Sequence, residues 1–235
     1  MTAPRHGVKV APPPADVRGV ALVLHGGRET STEPVRSHQL AVLRMLPFAR
    51  RLASAGGQYG LAVARLQFGQ RGWNGELRSP VSDARATLAD LTRRYPDVPI
   101  ALVGHSMGGR TAVHVADDPA VRVVAALAPW ITPSDPVDTM TGRRLLVVHG
   151  EADRVTDPRA SRHYAEQAAA VADSVSWVGV SGEKHAMLRK ARLWHDLVTG
   201  YVLSALLDAP TVGTVRKPSA KLVEKALAGQ RRIVV

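Results

Sequence analysis

The 235-residue sequence contains no cysteine, few aromatic residues and no long apolar run. Without cysteine there can be no disulfide framework, no thiolate nucleophile and no cysteine-based zinc site. No stretch reaches the roughly 18 apolar residues of a spanning helix, so we expect no membrane partner. Residues 1–16 have no apolar core segment, and we therefore expect no secretory signal. These absences together predict a cytoplasmic protein.

The composition is otherwise typical of a folded globular protein, with 45% hydrophobic and 22% charged residues. A chain of this length forms one large domain or two small ones, and it can bury a sizeable core. Disorder along the whole chain is therefore excluded as an interpretation.

The charge is strongly positive, since 31 Lys and Arg residues against 20 Asp and Glu residues leave a formal net charge of +11. Much of the excess lies in residues 210–235, which include Glu224 as their only acidic residue and no aromatic side chain that could stack on a base. We interpret this segment as a solvated basic tail after a domain of residues 1–209, and we do not expect a nucleic-acid partner. A helix at Ser219–Ala228 is expected to dock on a neighbouring surface, and a homo-oligomer is left open.

Apolar, β-branched runs alternate with amphipathic stretches along the chain. The strand candidates are Val20–His25, Leu61–Leu66, Ile100–Val103, Val121–Leu127, Leu145–His149 and Val175–Val180. The helix candidates are Pro47–Ala55, Val81–Tyr95, Gly109–Ala116, Pro158–Ala170 and Ala191–Leu207. Continuous apolar strands are typical of strands that are covered on both faces, and their alternation with helices indicates βαβ crossovers. The pattern predicts an α/β fold with a mostly parallel sheet and helices on both faces.

A candidate nucleophile lies in the segment Gly104-His105-Ser106-Met107-Gly108, which fits the pattern Gly-x-Ser-x-Gly. The apolar strand Ile100–Val103 runs into this turn, and a helix rich in small residues leaves it. That context predicts a sharp corner that exposes the hydroxyl of Ser106 beside the free N–H groups of a helix N-terminus. The alternative is a glycine-rich turn whose serine only caps the helix.

A serine nucleophile needs a base, and His185 is the best-placed histidine. It lies in a polar loop after the buried strand Val175–Val180, at the sheet edge where functional groups of parallel sheets converge. His163 and His195 fall within helical patterns, which favours a packing or surface role for both of them.

The base in turn needs an acid that fixes its tautomer, and Asp153 follows the strand Leu145–His149 directly. Asp157 is better explained as the cap of the next helix. Asp135, after the preceding strand, stays an alternative acid. The chain order Ser106, Asp153, His185 is the order of the α/β-hydrolase triad.

The negative oxygen of a tetrahedral intermediate needs hydrogen-bond donors that are already in place. The backbone N–H of Met107, directly after the nucleophile, is the first candidate. The second is the N–H of Gly27, which follows another apolar strand, with the N–H of Arg28 as its alternative.

The segments LVLHGG, QRGWNG, GHSMGG, HGEADRV and GEKHAM occur in that order, each after a candidate strand. On these motifs the chain resembles the α/β-hydrolase superfamily, specifically its small, cap-less, serine esterase-like members, over about residues 18 to 207. The resemblance implies an α/β-hydrolase fold, a triad of Ser106, Asp153 and His185, and oxyanion donors Gly27 and Met107. Only Val8–Val10 is left as an edge strand before the first buried strand.

The stretch between the strand after the elbow helix and the next strand is short and broken by proline, so we expect no large cap domain. The predicted site is therefore open and shallow, partly roofed by residues 28–46 and lined by Trp73 or Trp130. The sequence predicts a serine hydrolase that cleaves carboxylic esters or thioesters through an acyl-serine intermediate. Its partner is then a small ester-type substrate, and no cofactor or metal is implied. The alternatives are a peptidase or acyltransferase with the same triad, and a non-catalytic binding protein of this fold.

Overall fold

The computed structural model describes residues 6–235. Its strands are β1 (Gly7–Val10), β2 (Gly19–Leu24), β3 (Leu61–Gln67), β4 (Ile100–His105), β5 (Val121–Leu127), β6 (Arg144–Gly150), β7 (Ser174–Val180) and β8 (Arg232–Val234). They form one sheet in the order β1-β3-β2-β4-β5-β6-β7-β8. Only the edge strand β1 is antiparallel to its neighbour, and the other pairings are parallel. The predicted mostly parallel sheet is confirmed.

The helices connect successive strands or follow them. They are α1 (Leu40–Leu43), α2 (Leu46–Gly56), α3 (Ser79–Arg94), α4 (Met107–His114), α5 (Pro158–Ala168), α6 (Ala191–Leu207) and α7 (Lys217–Leu227). The Asp157 carboxylate accepts a hydrogen bond from the N–H of Arg159 and caps α5, as the sequence predicts. No helix in the described part of the chain is long and apolar enough to cross a membrane.

The sheet is covered on both faces, which explains why its central strands are continuously apolar. Every residue of β2 and β4 is buried. Apolar residues of α3, α4 and α5 pack on one face of the sheet, and those of α2, α6 and α7 pack on the other. Because the central strands run in parallel, their carboxyl ends meet at one edge, where the loops after β2, β4, β6 and β7 lie together.

The segment 210–235 belongs to the same packed body as the rest of the chain. Helix α7 packs on α6, and Val223 and Ala226 are buried in that contact. Strand β8 extends the sheet beside β7 and buries Ile233. The expected helix is therefore present and docks on this chain's own surface, whereas the boundary at residue 209 stays a prediction.

An ion pair fastens this segment to α6. The buried carboxylate of Asp196 accepts hydrogen bonds from Arg216 Nε at 2.6 Å and from Ser219 Oγ at 2.9 Å. The other charged partner of Asp196 is Arg51, at 3.7 Å. Loss of the segment would remove the two nearest partners of this carboxylate and leave only Arg51.

Truncation after Ala209 is therefore expected to lower the free energy of unfolding by about 3 kcal/mol or more. The burial of Val223 and that of Ile233 each contribute roughly 1.5–3 kcal/mol, and the truncated chain lacks both. Urea unfolding followed by circular dichroism measures the change. Lys221→Ala, at an exposed position of α7, is the control and should leave the midpoint unchanged. An unchanged midpoint in the truncated chain would contradict the packing role of the segment.

His25, at the end of β2, is a buried histidine with a fixed tautomer. Its Nδ1–H donates to the carbonyl of Gly26 at 2.6 Å, and its Nε2 accepts from the N–H of Phe68 at 3.1 Å. Burial lowers the pKa of His25 to about 4. In the folded state His25 therefore stays neutral between pH 6.5 and 4, whereas in the unfolded chain it binds a proton near pH 6.5.

The stability contributed by neutral His25 is present above pH 6.5 and is lost as the pH falls towards 4. Between pH 7.5 and pH 5 we expect His25 to account for a loss of about 2 kcal/mol. His25→Gln retains an acceptor for Phe68 but does not titrate. Urea unfolding at the two pH values should show a smaller loss in this variant, and an equal loss would assign the pH dependence to other groups.

Candidate active site

Ser106 lies at the sharp turn between β4 and α4, with φ 55° and ψ −118°. A positive φ is rare for a residue with a side chain and costs of order 1–3 kcal/mol. The turn is held by a close approach of two backbones, because a Cβ on Gly104 would collide with the backbone of Gly108. Ser106 is thus held in the strained corner that the Gly-x-Ser-x-Gly pattern predicts.

The loop after β2 lies against this corner. A Cβ on Gly27 would lie 2.5 Å from the carbonyl oxygen of Arg71 and 2.5 Å from the sulfur of Met107, so no side chain fits there. The neighbouring Gly26 lies against Ser106 itself, since a Cβ on Gly26 would lie 3.3 Å from that of Ser106. The structure therefore brings Gly27, Ser106 and Met107 together.

The N–H groups in this corner differ in their availability. Within residues 6–235, neither Gly27 nor Met107 donates its backbone N–H to another residue. The N–H of Arg28 donates to the carbonyl of Arg71 at 2.8 Å. Arg28, the alternative oxyanion donor, is therefore already engaged, and Gly27 remains as the candidate beside Met107.

Asp153 and His185 meet at the same edge of the sheet. Nδ1–H of His185 donates to Oδ2 of Asp153 at 2.8 Å. Asp153 is buried, whereas the side chain of His185 is 18% exposed. Among the described residues the Nε2 atom of His185 has no hydrogen-bond partner, Ser106 included, which leaves it available to accept a proton.

Two further side chains hold the Asp153 carboxylate, and the sequence analysis missed both of them. His149 Nε2 lies 3.2 Å from Oδ2, and Thr156 Oγ1 donates to the same oxygen at 2.8 Å. The backbone N–H of Val155 donates to the other carboxylate oxygen, Oδ1, at 2.8 Å. His149 is the last residue but one of β6 and lies four residues before Asp153, and this proximity was the signal that could have revealed it.

These hydrogen bonds set the charge of Asp153. Burial alone would raise the pKa of its carboxyl group, but hydrogen bonds from His149, His185 and the N–H of Val155 outweigh burial and hold the pKa well below its usual range. Asp153 is therefore an anion at neutral pH, and it favours a positive charge on His185.

The loop that carries His185 is fixed by neighbours on both sides. His105 Nε2–H donates to the carbonyl of His185 at 3.1 Å, and burial lowers the pKa of His105 to about 3. Arg44 donates to the carbonyl of Ala186. Since Arg44 belongs to the segment 28–46, that segment does lie beside the site, as expected.

Asp135, the alternative acid, belongs to a different cluster. Its Oδ1 atom accepts hydrogen bonds from Arg110 Nε at 2.8 Å and from His114 Nε2 at 2.7 Å. Burial would raise the pKa of Asp135, but hydrogen bonds from His114, from the N–H of Thr132 and from Arg110 outweigh it and lower the pKa. Asp135 makes no hydrogen bond to His185 in the described residues, so this geometry favours Asp153 over Asp135 as the acid.

The surroundings of Ser106 are open. Neither Ser106 nor His185 lines any of the main clefts within residues 6–235. A cleft of about 300 Å³ nearby is lined by both Trp73 and Trp130. The described part of the chain contains no group of three or more His, Asp or Glu side chains arranged to hold a metal ion.

Comparisons with known proteins agree with this architecture. A serine hydrolase without a lid from Xanthomonas campestris is 24% identical, with 87% of this chain and 90% of that chain covered and a TM-score of 0.61. For a monoacylglycerol lipase from Paleococcus ferrophilus the identity is 16%, the coverage 85% and 99%, and the TM-score 0.62. For Est1E from Butyrivibrio proteoclasticus the identity is 15%, the coverage 85% and 94%, and the TM-score 0.62.

These structural similarities show the α/β-hydrolase fold, and no curated protein sequence matches the chain. The family model described as serine aminopeptidase, S33, matches residues 15–143, which is more than half of the sequence. Together with the sheet order and the serine turn, this match identifies the chain as a member of that family of α/β serine hydrolases.

Proposed function

We propose that the chain hydrolyses carboxylic esters or thioesters through an acyl-serine intermediate. The observation that carries the proposal is the strained backbone of Ser106, with φ 55°, at the N-terminus of α4. A serine hydroxyl held at such a corner is exposed to a substrate and lies beside N–H groups that have no intrahelical partner.

The site residues have complementary roles in this reaction. Ser106 Oγ attacks the carbonyl carbon while its proton moves to Nε2 of His185. Asp153 keeps the other ring nitrogen, Nδ1, protonated and stabilises the imidazolium that forms. His185 then gives the proton to the leaving alcohol or thiol, and the acyl group remains on Ser106 as an ester.

Water completes the cycle. His185 takes a proton from the water as it attacks the acyl-serine, and the collapse of the second tetrahedral intermediate returns a proton to Ser106 Oγ. In both tetrahedral intermediates the negative oxygen would accept hydrogen bonds from the N–H groups of Gly27 and Met107. No step of this mechanism needs a metal or an organic cofactor.

An ester substrate is supported by the openness of the site and by the names of the similar structures. One of them is a monoacylglycerol lipase, and another lacks a lid. An open site without a cap suits small or flexible acyl groups. The name of the matched family, serine aminopeptidase, favours a peptidase as the second candidate, in which the same residues cleave an amide.

Ser106→Ala is expected to abolish hydrolysis of p-nitrophenyl acetate and labelling by a fluorophosphonate probe, while the melting temperature stays close to that of the wild type. Loss of a triad serine lowers kcat by several powers of ten. Hydrolysis of an aminoacyl p-nitroanilide, measured in parallel, separates the peptidase from the esterase. A pure variant that kept more than about a tenth of the activity would exclude Ser106 as nucleophile.

Asp153→Asn and Asp135→Asn form a matched pair that assigns the acid. Asp153→Asn should lower kcat by orders of magnitude, since the amide no longer favours the required tautomer and charge of His185. Asp135→Asn should leave kcat on a plain ester within about threefold but lower the melting temperature, because it leaves the buried Arg110 without its counter-charge. Reversed effects on kcat would show that the acid is Asp135.

A further inference from the structure

Arg110 is a buried cation one turn after Ser106 on α4, and its own N–H donates to the carbonyl of Ser106 at 3.1 Å. Its side chain is only 9% exposed. The guanidinium carbon lies 4.1 Å from the ring centroid of Trp73 and 4.6 Å from that of Trp130. The two rings meet edge to face, so they form a corner that holds the guanidinium in one orientation.

The hydrogen bonds of this guanidinium are incomplete. Nε donates to Asp135 at 2.8 Å, and one terminal nitrogen, Nη2, donates to Thr132 Oγ1 at 2.9 Å. Within residues 6–235 the other terminal nitrogen, Nη1, has no acceptor, and it is not among the unpartnered atoms that are sealed from solvent. Arg110 therefore keeps a charged donor with accessible surface on a side chain that is nine-tenths buried.

The accessible space beside Arg110 is the cleft of about 300 Å³ that Trp73 and Trp130 also line. Glu29 and Thr30 of the loop after Gly27 form part of its wall. The cleft lies close to Ser106, because Trp130, which lines it, donates its backbone N–H to the carbonyl of Ser106 at 3.2 Å. A substrate held at Ser106 can therefore extend into this cleft.

The charges around the cleft decide which ligand oxygen fits. Arg110 and Asp135 cancel each other, and the rim has two carboxylates, Glu29 and Glu76, against one cation, Arg78. A ligand carboxylate would meet this negative rim and gain no net positive field. A neutral acceptor, such as a carbonyl, ether or hydroxyl oxygen, can accept from Nη1 without that repulsion.

We propose that this cleft is a substrate subsite in which Arg110 Nη1 binds a neutral acceptor oxygen of the group beyond the scissile ester. The subsite rests on the proposed esterase function, since it positions a substrate at Ser106. Trp73 and Trp130 supply apolar contact to the carbon atoms around that oxygen. The enzyme therefore prefers oxygenated esters to plain alkyl esters of the same length.

Two pairs of esters test the preference on either side of the scissile bond. On the acyl side, p-nitrophenyl levulinate is compared with p-nitrophenyl valerate, which lacks the second carbonyl. On the alcohol side, methoxyethyl acetate is compared with butyl acetate, which lacks the ether oxygen. We expect the oxygenated ester to have an about tenfold higher kcat/KM in one pair, as a hydrogen bond to a charged donor provides.

Arg110→Lys is the critical variant, since lysine keeps the charge beside Asp135 but lacks the second terminal nitrogen. The kcat/KM ratio within the preferred pair should fall towards that of the uncatalysed esters, because only the oxygenated ester uses Nη1. Arg85→Lys is the matched control, because Arg85 is an exposed arginine that pairs with Asp117 outside the cleft. It should leave the ratio unchanged.

A substrate with a carboxylate tests whether the negative rim of the cleft disfavours an anionic ligand. Mono-p-nitrophenyl glutarate, which has a five-carbon acyl chain like the levulinate but ends in a carboxylate, should be hydrolysed more slowly than the levulinate. The double variant Glu29→Gln, Glu76→Gln should raise kcat/KM on the glutarate severalfold relative to kcat/KM on the levulinate.

The outcomes separate the two proposals. Wild-type protein that hydrolyses none of these esters and is not labelled by a fluorophosphonate overturns the esterase function itself. Wild-type protein that hydrolyses plain and oxygenated esters equally in both pairs overturns the subsite, even if Arg110→Lys fails to fold. A wild-type preference for the glutarate overturns the neutral ligand and assigns the cleft to a carboxylate.

Discussion

The close approach of the Gly104 and Gly108 backbones is the constraint on which the candidate site depends. With side chains at these positions, α4 could not begin so soon after β4, and Ser106 would relax from its positive φ. The strain is sustained because β4 is buried on both faces and cannot move to relieve it. The sheet thus serves as a rigid support for one unfavourable backbone conformation.

Two separate carboxylate networks flank this corner, and within the described residues they differ in which side chain keeps a group without a hydrogen-bond partner. Asp153 is saturated with donors, and the imidazole of His185 is the part of its network that reaches solvent. Asp135 holds Arg110 and His114 in a second buried cluster, in which the guanidinium is the partly unsatisfied group. One network is suited to moving a proton, whereas the other is suited to holding a ligand without changing charge.

Much of the fold and the site could be predicted from the sequence, because apolar runs and glycine turns are local signals. Helix α6 (Ala191–Leu207) and strand β5 (Val121–Leu127) have the predicted bounds. Strand β8 was missed because its three residues, which include Arg232, are too few to show a periodicity, and they become a strand only where β7 offers a free edge. The pairing of Arg110 with Asp135 was missed because sequence spacing does not encode contacts across loops.

The two outer strands of the sheet disfavour pairing with the strands of another chain. β1 has four residues with Lys9 among them, and β8 has three residues and begins with Arg232. Short edge strands with basic side chains are poor templates for another chain, since pairing would bring like charges together. A parallel sheet as apolar as this one would otherwise be prone to edge-to-edge aggregation, so part of the chain's positive charge protects it against self-association through β-strands.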